Sequence, residues 1–258
     1  MEVRVDQICK TYTRGRDAIV AVDGVSFTVQ AGEFVALLGP SGCGKSTLLF
    51  IVGGLLAPSS GRVEFGGALG GRPLTAMVFQ DFALFPWRTV LHNVVFGLEV
   101  RGVPPRDRVL RARELIRTVG LEGFEHRFPR ELSGGMRQRV GLARAFAVDP
   151  AVLLMDEPLS ALDAQTRDLM QDELLRLCER QSRTVLYVTH NIHEAAYLAD
   201  RVVLLSRRPG RVRAVLSVPL PRPRDEAMQA SPAFVGFTRE IWAMTKDEAR
   251  AAMAEQSA

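Results

Sequence analysis

The sequence predicts an α/β fold in which a mainly parallel sheet is covered by helices on both faces. Three observations carry this. Segments of strand character alternate with segments of helical character along most of the 258 residues, which is how a sheet with helical crossovers reads. Two strand segments, "EFVALLG" (33–39) and "AVLLMD" (151–156), are nearly unbroken apolar runs, as expected for strands buried on both faces. The first of these runs ends in a glycine-rich turn directly before a helical segment.

Each element follows in order. Residues 1–32 alternate apolar and polar side chains in "VRVDQIC" and "IVAVDGVSFTVQAG", punctuated by Gly24 and Gly32. After "EFVALLG", "KSTLLFIVGGLL" suits a helix, and "GRVEFGG" (61–67) and "TAMVFQ" (75–80) suit strands. From Asp81 the texture changes. "RDRVLRARELIRTVG" places Val109, Leu110, Leu115, Ile116 and Val119 at helical spacing, bracketed by Pro104, Pro105 and Pro129, so a helical insert spans about 81–132. Helix "MRQRVGLARAFAV", strand "AVLLMD", helix "AQTRDLMQDELLRLCERQ", strand "TVLYVT", helix "NIHEAAYLAD" and strand "RVVLLS" then continue the alternation. "RPGRVRAVLSVPLPRPR" reads as a strand and a Pro- and Arg-rich connector. The extension over about 219–258 suits one or two helices and is too short for a regulatory domain. With no internal repeat, residues 1–258 read as one domain.

Hydrophobic residues make up 47% and charged residues 24%, ordinary for a soluble globular protein. The net charge of +4 is carried by scattered arginines, so no basic arm for nucleic acid is present and no nucleic-acid partner is expected. Lysine occurs only as Lys10, Lys45 and Lys246. Three cysteines at irregular spacing make no disulfide framework and fit a reducing compartment. The charged start "MEVRVDQICK" is no signal peptide, and no stretch approaches the roughly 18 apolar residues of a membrane span. The expectation is a chain that is soluble, or held at a membrane by a partner.

The chemistry concentrates in short motifs. "GPSGCGKST" runs through Gly39, Pro40, Ser41, Gly42, Cys43, Gly44, Lys45, Ser46 and Thr47, and fits G-x-x-x-x-G-K-[ST] between a predicted strand and a predicted helix. Its glycines let backbone approach phosphate oxygens, Lys45 brings a compact charge to the β/γ-phosphates, and Ser46 can place its hydroxyl on Mg²⁺. Asp156 emerges at the carboxyl end of an apolar strand, where it can hold Mg²⁺ through water. Glu157 follows, able to orient or deprotonate an attacking water. "HNIHE" (190–194) matches neither zinc-helix spacing and has no cysteine nearby, so His193 reads as an exposed helix residue. His92 and His126 read as surface residues.

A phosphate loop and two carboxylates are shared by kinases, GTPases and motor ATPases alike. "LSGGMRQR" (132–139) narrows the field, because a Ser-Gly-Gly turn opening a helix is a second anion-seeking site. A kinase-type phosphotransferase gives no reason for it. Soluble cassette ATPases acting on ribosomes or DNA usually carry two cassettes or long coiled inserts, and this chain has neither.

With these motifs in this order, the sequence resembles the ATP-binding subunits of ATP-binding-cassette (ABC) transporters, from its N-terminal strands to about Val218. The resemblance implies a RecA-like P-loop NTPase core with an N-terminal antiparallel β subdomain and a helical insert, and ATP and Mg²⁺ as ligands. It implies that Tyr12 stacks on adenine, that Gln80 senses Mg²⁺ and the γ-phosphate and reports to a membrane partner, and that Ser133, Gly134 and Gly135 bind the γ-phosphate. Asp163, in "SALD", would speak across a dimer interface, and His190 would contact the γ-phosphate. The catalytic set is then Glu157, His190, Gln80 and Lys45, and the metal set Ser46, Gln80 and Asp156. In this family two copies pack head to tail, so that the P-loop of one and the signature turn of the other enclose one ATP.

"FALFPWRTVLHNVVFGLEVRG" (82–102), with "LADRVVLLSRRPGRV", resembles importer subunits of the nitrate/sulfonate/taurine group. That implies a homodimer beneath two separate transmembrane permease subunits, an indirect substrate-binding protein, and a peripheral location on the cytoplasmic face of the cell membrane. Leu84, Phe85, Pro86 and Trp87 belong either to the core of the insert or to a groove wall that receives the permease. Two residues depart from the family pattern: Asn191 stands where Asp is usual after the switch histidine, and Gly141 where Ala is usual.

Overall fold

Alternation of apolar and polar residues builds the first sheet. In a computed structural model that describes residues 1–15, 17–179 and 183–256, β1 (Glu2–Arg14) and β2 (Asp17–Val29) pair antiparallel, with Val3 opposite Val29 and Val5 opposite Phe27. The alternate residues Val3, Val5, Val25, Phe27 and Val29 are buried. The register slips between Val5 and Ile8, where Gln7 sits at φ 50° and donates its N–H to Ser26 Oγ at 2.8 Å. β3 (Phe34–Leu38) is buried at every position. α1 (Lys45–Val52) follows. It stops short of the predicted "GGLL" tail because Gly53 and Gly54 end it, Gly54 at φ 71°. β4 (Ser60–Gly66) returns to pair antiparallel with the other edge of β1, giving the order β2-β1-β4.

The chain divides into two units, Met1–Ala68 with Gln181–Ala258, and Leu69–Arg180. The second unit begins with β5 (Thr75–Val78) and continues through α2 (Val90–Val100), α3 (Pro105–Thr118), α4 (Gly134–Ala147), β6 (Val152–Asp156) and α5 (Ala164–Glu179). β5 and β6 are parallel, Val78 opposite Met155. α2, α3 and α4 pack on one another. On α3 the buried face is Ala112 and Ile116, whereas Leu110, which the spacing assigns to the apolar face, is 59% exposed. It belongs to the solvent side of a helix whose apolar stripe is narrow.

Asn93, fully buried on α2, pins the loop before it. Its Oδ1 accepts from Phe85 N–H at 2.9 Å, and its Nδ2 donates to the carbonyls of Arg88 and Thr89 at 3.0 Å each and of Phe85 at 3.2 Å.

The first unit resumes with β7 (Thr184–Thr189), α6 (Ile192–Leu198), β8 (Arg201–Leu205), β9 (Val212–Ser217) and α7 (Pro232–Gln256). Within this unit β7, β3 and β8 are parallel neighbours in that order, and β9 pairs antiparallel with β8. β7 is buried throughout, and β8 is buried beyond its first residue. β3, buried at every position, has the double-faced burial that its unbroken apolar sequence predicts. The outcome is the predicted α/β fold, with mostly parallel strands, helices and a separate antiparallel sheet.

Candidate functional site

Strand register decides which loops meet. In the first unit Leu38 on β3 lies opposite Thr189 on β7. Gly39 and His190 therefore leave the carboxyl ends of adjacent parallel strands side by side, where α/β sheets bind ligands.

The loop from Gly39 to Thr47 wraps its own lysine. Lys45 Nζ donates to the carbonyls of Gly39 at 2.8 Å and Pro40 at 2.9 Å, and the side chain is 5% exposed. Gly44 is required, since it takes φ 96° and a Cβ there would stand 2.8 Å from the Ala21 carbonyl oxygen and 2.7 Å from Val22 Cγ2. Ser41 and Gly42 are exposed at the loop tip, and Ser46 and Thr47 are half-buried. Cys43 is 1% exposed, so the loop presents its backbone and not its thiol. Tyr12 is exposed at the end of the loop. Its hydroxyl lies 3.2 Å from Thr47 Oγ1, and Lys10 Nζ sits 5.4 Å from its ring centroid.

His190 is exposed. Asn191 caps α6, its Oδ1 accepting from His193 and Glu194 N–H at 2.9 and 3.3 Å. Asn and Asp cap helices about equally well, so the departure from the family pattern keeps the local structure. His193 is exposed as predicted, and no metal-ligand cluster occurs among the described residues.

The second unit carries the other predicted residues. Val78 opposite Met155 sets Gln80 and Asp156 at the carboxyl ends of neighbouring parallel strands. Asp156 is 2% exposed at the end of β6. Glu157 takes φ 45°, costly for a non-glycine residue and a frequent mark of functional positions. Its carbonyl accepts from Ser160 N–H at 3.2 Å and Ser160 Oγ at 2.9 Å.

The strand before Gln80 is shorter than predicted. It ends at Val78, and Gln80 opens an exposed turn in which Phe82 and Ala83 adopt φ 57° and 47°. Signature-helix arginines hold that turn. Arg144 donates to the carbonyls of Ala83 at 2.6 Å and Phe82 at 3.2 Å, and Arg137 lies over the Phe82 ring at 5.2 Å. Burial pushes the Arg144 pKa down from its ordinary value.

Ser133 caps α4, its Oγ accepting from Met136 N–H at 3.2 Å. Gly134 and Gly135 open the helix, and a Cβ on Gly135 would stand 2.9 Å from Leu162 Cδ2 and 3.6 Å from the Ala161 carbonyl oxygen. The signature turn and the "SALD" segment are thus packed together. Asp163 accepts from Thr166 N–H at 3.0 Å; the hydrogen bonds from Thr166 hold its carboxyl below the usual range, and the nearby Arg139 guanidinium adds to this.

Sequence reasoning passed over Arg144, Asn93 and Glu194. Each is a polar residue inside an apolar helical run, a signal that a buried hydrogen-bond partner awaits it. Phe85 and Trp87 differ in exposure. Phe85 is half-buried against Phe96 at 4.6 Å, whereas Trp87 is 71% exposed.

Known proteins are similar to this chain. The ABC transporter family profile matches residues 22–160. An uncharacterised ABC transporter ATP-binding protein of Methanocaldococcus jannaschii is 45% identical over 250 residues, 96% of this chain and 92% of that one. The taurine import ATP-binding protein TauB of Burkholderia pseudomallei is 50% identical over 210 residues, 81% of each chain. A solved ATP-binding cassette, dimeric and in a post-hydrolysis state with ADP and Pi, is 33% identical with a TM-score of 0.76, covering 85% of this chain and all of its own. Matched by the family profile over more than half its length, and by relatives of nearly half-identical sequence over most of it, this chain belongs to the ABC transporter family as an ATP-binding subunit that hydrolyses ATP.

Proposed function

We propose that this chain energises an importer of a small molecule that carries an anionic group, such as nitrate, a sulfonate or taurine. It would act as a homodimer on the cytoplasmic face of the cell membrane, beneath two separate permease subunits fed by a substrate-binding protein. The observation that carries the coupling is local to one unit. The exposed Gln80 turn runs into Trp87, which stands in solvent beside the edge-to-face Phe85–Phe96 pair. A large exposed aromatic beside a candidate sensing residue suits a docking surface. The 50% identity to taurine import ATP-binding proteins supports the substrate class. The dimeric cassette similar to this chain supports the head-to-tail pair. Among the described residues no helix is long and apolar enough to cross a membrane, and the proposal assigns the crossing to the permease.

In this reading Tyr12 stacks on adenine and the backbone of residues 39–47 surrounds the phosphates. Lys45, held at the loop's centre, turns from the Gly39 and Pro40 carbonyls to the γ-phosphate oxygens, where negative charge develops. The oxygens of Ser46, Gln80 and Asp156 are hard donors that fit Mg²⁺. When bound, the ion supplies charge neutralisation at the phosphates. Glu157 accepts the proton of the water that attacks the γ-phosphorus in line, while the bond to the leaving ADP oxygen breaks. His190 and Gln80 contact the γ-phosphate, and Ser133, Gly134 and Gly135 of the second copy complete the enclosure, with Asp163 at the shared interface.

The test is reconstitution of the chain with its permease in lipid vesicles. ATPase activity should rise when the binding protein is loaded with taurine, a sulfonate or nitrate. A chain that associates with no membrane protein, and whose ATPase ignores all three, would instead be a soluble cassette ATPase.

A further inference from the structure

A helix of seven residues does not hold itself together in water. α6 is such a helix, and its first turn is tied to the strand end that carries His190. Thr189 Oγ1 donates to Glu194 Oε2 at 2.8 Å and accepts from Asn191 N–H at 3.0 Å. The Tyr187 hydroxyl donates to the same carboxylate oxygen at 3.1 Å. Tyr187, Thr189 and Glu194 are all buried. With the Asn191 cap, the residues on both sides of His190 are locked to α6, so the placement of that helix sets the placement of the histidine.

The C-terminal segment holds α6 at both ends. α6 has no basic residue in its last turn. Its final carbonyls are taken instead by arginines from beyond β9. Arg224, its side chain 1% exposed, donates from Nη1 to Tyr197 O at 2.8 Å and Ala199 O at 2.7 Å. Arg222 donates from Nη2 to Leu198 O at 2.8 Å and from Nε to Asp200 Oδ1 at 2.7 Å. These are the acceptors that a helix end leaves open. At the other end, the His193 ring lies 5.8 Å from the ring of Phe234 on α7. Phe234, Phe237 and Ile241, spaced along one helical face, are buried. The family profile ends at residue 160 and says nothing about this segment.

We propose that residues 222–241 form a clamp that positions His190 by gripping α6 at both ends. This rests on the reading that His190 acts at the γ-phosphate of ATP. Arg224 and Phe234 are positioning residues: they act through α6, and they give the C-terminal segment a lever on turnover that leaves the nucleotide loop untouched.

A double-mutant cycle in the full-length protein tests this. Phe234→Leu is made in the native background and in a His190→Ala background, and kcat, KM for ATP and Tm are measured. In the native background kcat should fall about tenfold with KM within about twofold, since remote misplacement of a reacting group costs up to ~10². In the His190→Ala background the same change should lower kcat by less than about twofold, because the effect runs through the missing imidazole. Arg224→Lys keeps the charge but not the forked donors, and repeats the cycle should Phe234→Leu fail to fold. Equal losses in both backgrounds would reduce the segment to a support of the fold, and no loss in the native background would remove the clamp altogether. Either result, with His190→Ala still lowering turnover, overturns the clamp alone. Normal turnover of His190→Ala would overturn the reading of His190, and the clamp with it.

Discussion

Gly135→Ala is the sharpest single test of how the signature turn works. The added methyl would lie 2.9 Å from Leu162 Cδ2, inside any observed contact, and 3.6 Å from the Ala161 carbonyl. Leu162 is 4% exposed and cannot swing into solvent, so the strain must move the "SALD" segment or the start of α4. Overpacking of this kind costs about 1–3 kcal/mol, and each kcal/mol lowers Tm by roughly 2–4 °C in a chain of this size. The larger effect should be on turnover, because in the proposed head-to-tail pair the displaced N–H groups would be offered to the phosphate of the second copy's nucleotide. ATP affinity of the dilute monomer should not change, since Lys45 and its loop are untouched. The assays are a thermal melt, fluorescent-nucleotide titration at low protein concentration, and steady-state ATPase at high concentration. A normal melt with normal turnover would show that the close packing of Gly135 on Leu162 is dispensable. A fall in monomer affinity matching the fall in turnover would mean that the turn serves its own chain's nucleotide, and head-to-tail pairing would be refuted.

Glu157→Gln should leave ATP affinity intact, lower turnover by roughly 10²–10⁴ and accumulate an ATP-bound dimer; rapid hydrolysis would remove Glu157 from the mechanism. Trp87→Ala should weaken pull-down of the permease subunits while the melt and basal ATPase stay unchanged, because the side chain is largely in solvent; undiminished pull-down would move the docking surface elsewhere. Gly141→Ala should stabilise the chain by about 0.5–1 kcal/mol, since a Cβ there meets only the Phe82 carbonyl oxygen at an ordinary 3.6 Å; a lower Tm would mean that α4 needs its glycine. Ser41→Cys with Ser133→Cys, in a chain whose three native cysteines are replaced, should give a dimer with a thiol cross-linker of about 10 Å, because the two turns would reach one nucleotide. The probe is placed at Ser41 and not at the natural thiol of Cys43, because Cys43 is buried and Ser41 is exposed. An internally bridged monomer would contradict the pairing.

What was legible in the sequence is what backbone and periodicity dictate. "FVALL" and "VLLMD" read as buried strands because they are almost wholly apolar, and both are buried end to end. The glycine loop was legible because only its spacing suits a phosphate. Local turns hidden inside a regular pattern were not. "TAMVFQ" has strand character throughout, yet the strand stops at Val78, ahead of a turn in which Phe82 and Ala83 take positive φ and Arg144, 62 and 61 residues on, donates to their carbonyls. Leu110 fits a helical stripe by spacing alone, and only packing reveals that the stripe is narrower.

Contacts made by long polar side chains are the least legible, and they matter most for His190. The tripeptide around it names a switch by resemblance. It does not say that Glu194 holds Thr189, or that Arg224, more than thirty residues on, closes the helix between them. A carbonyl at the end of a seven-residue helix must find a donor, but the sequence offers 30 arginines and no rule for choosing among them. Arg222 and Arg224 answer that demand because the Pro-rich connector carries them past the end of α6. The same connector that composition alone would dismiss as linker is therefore part of how the strand end bearing His190 is held.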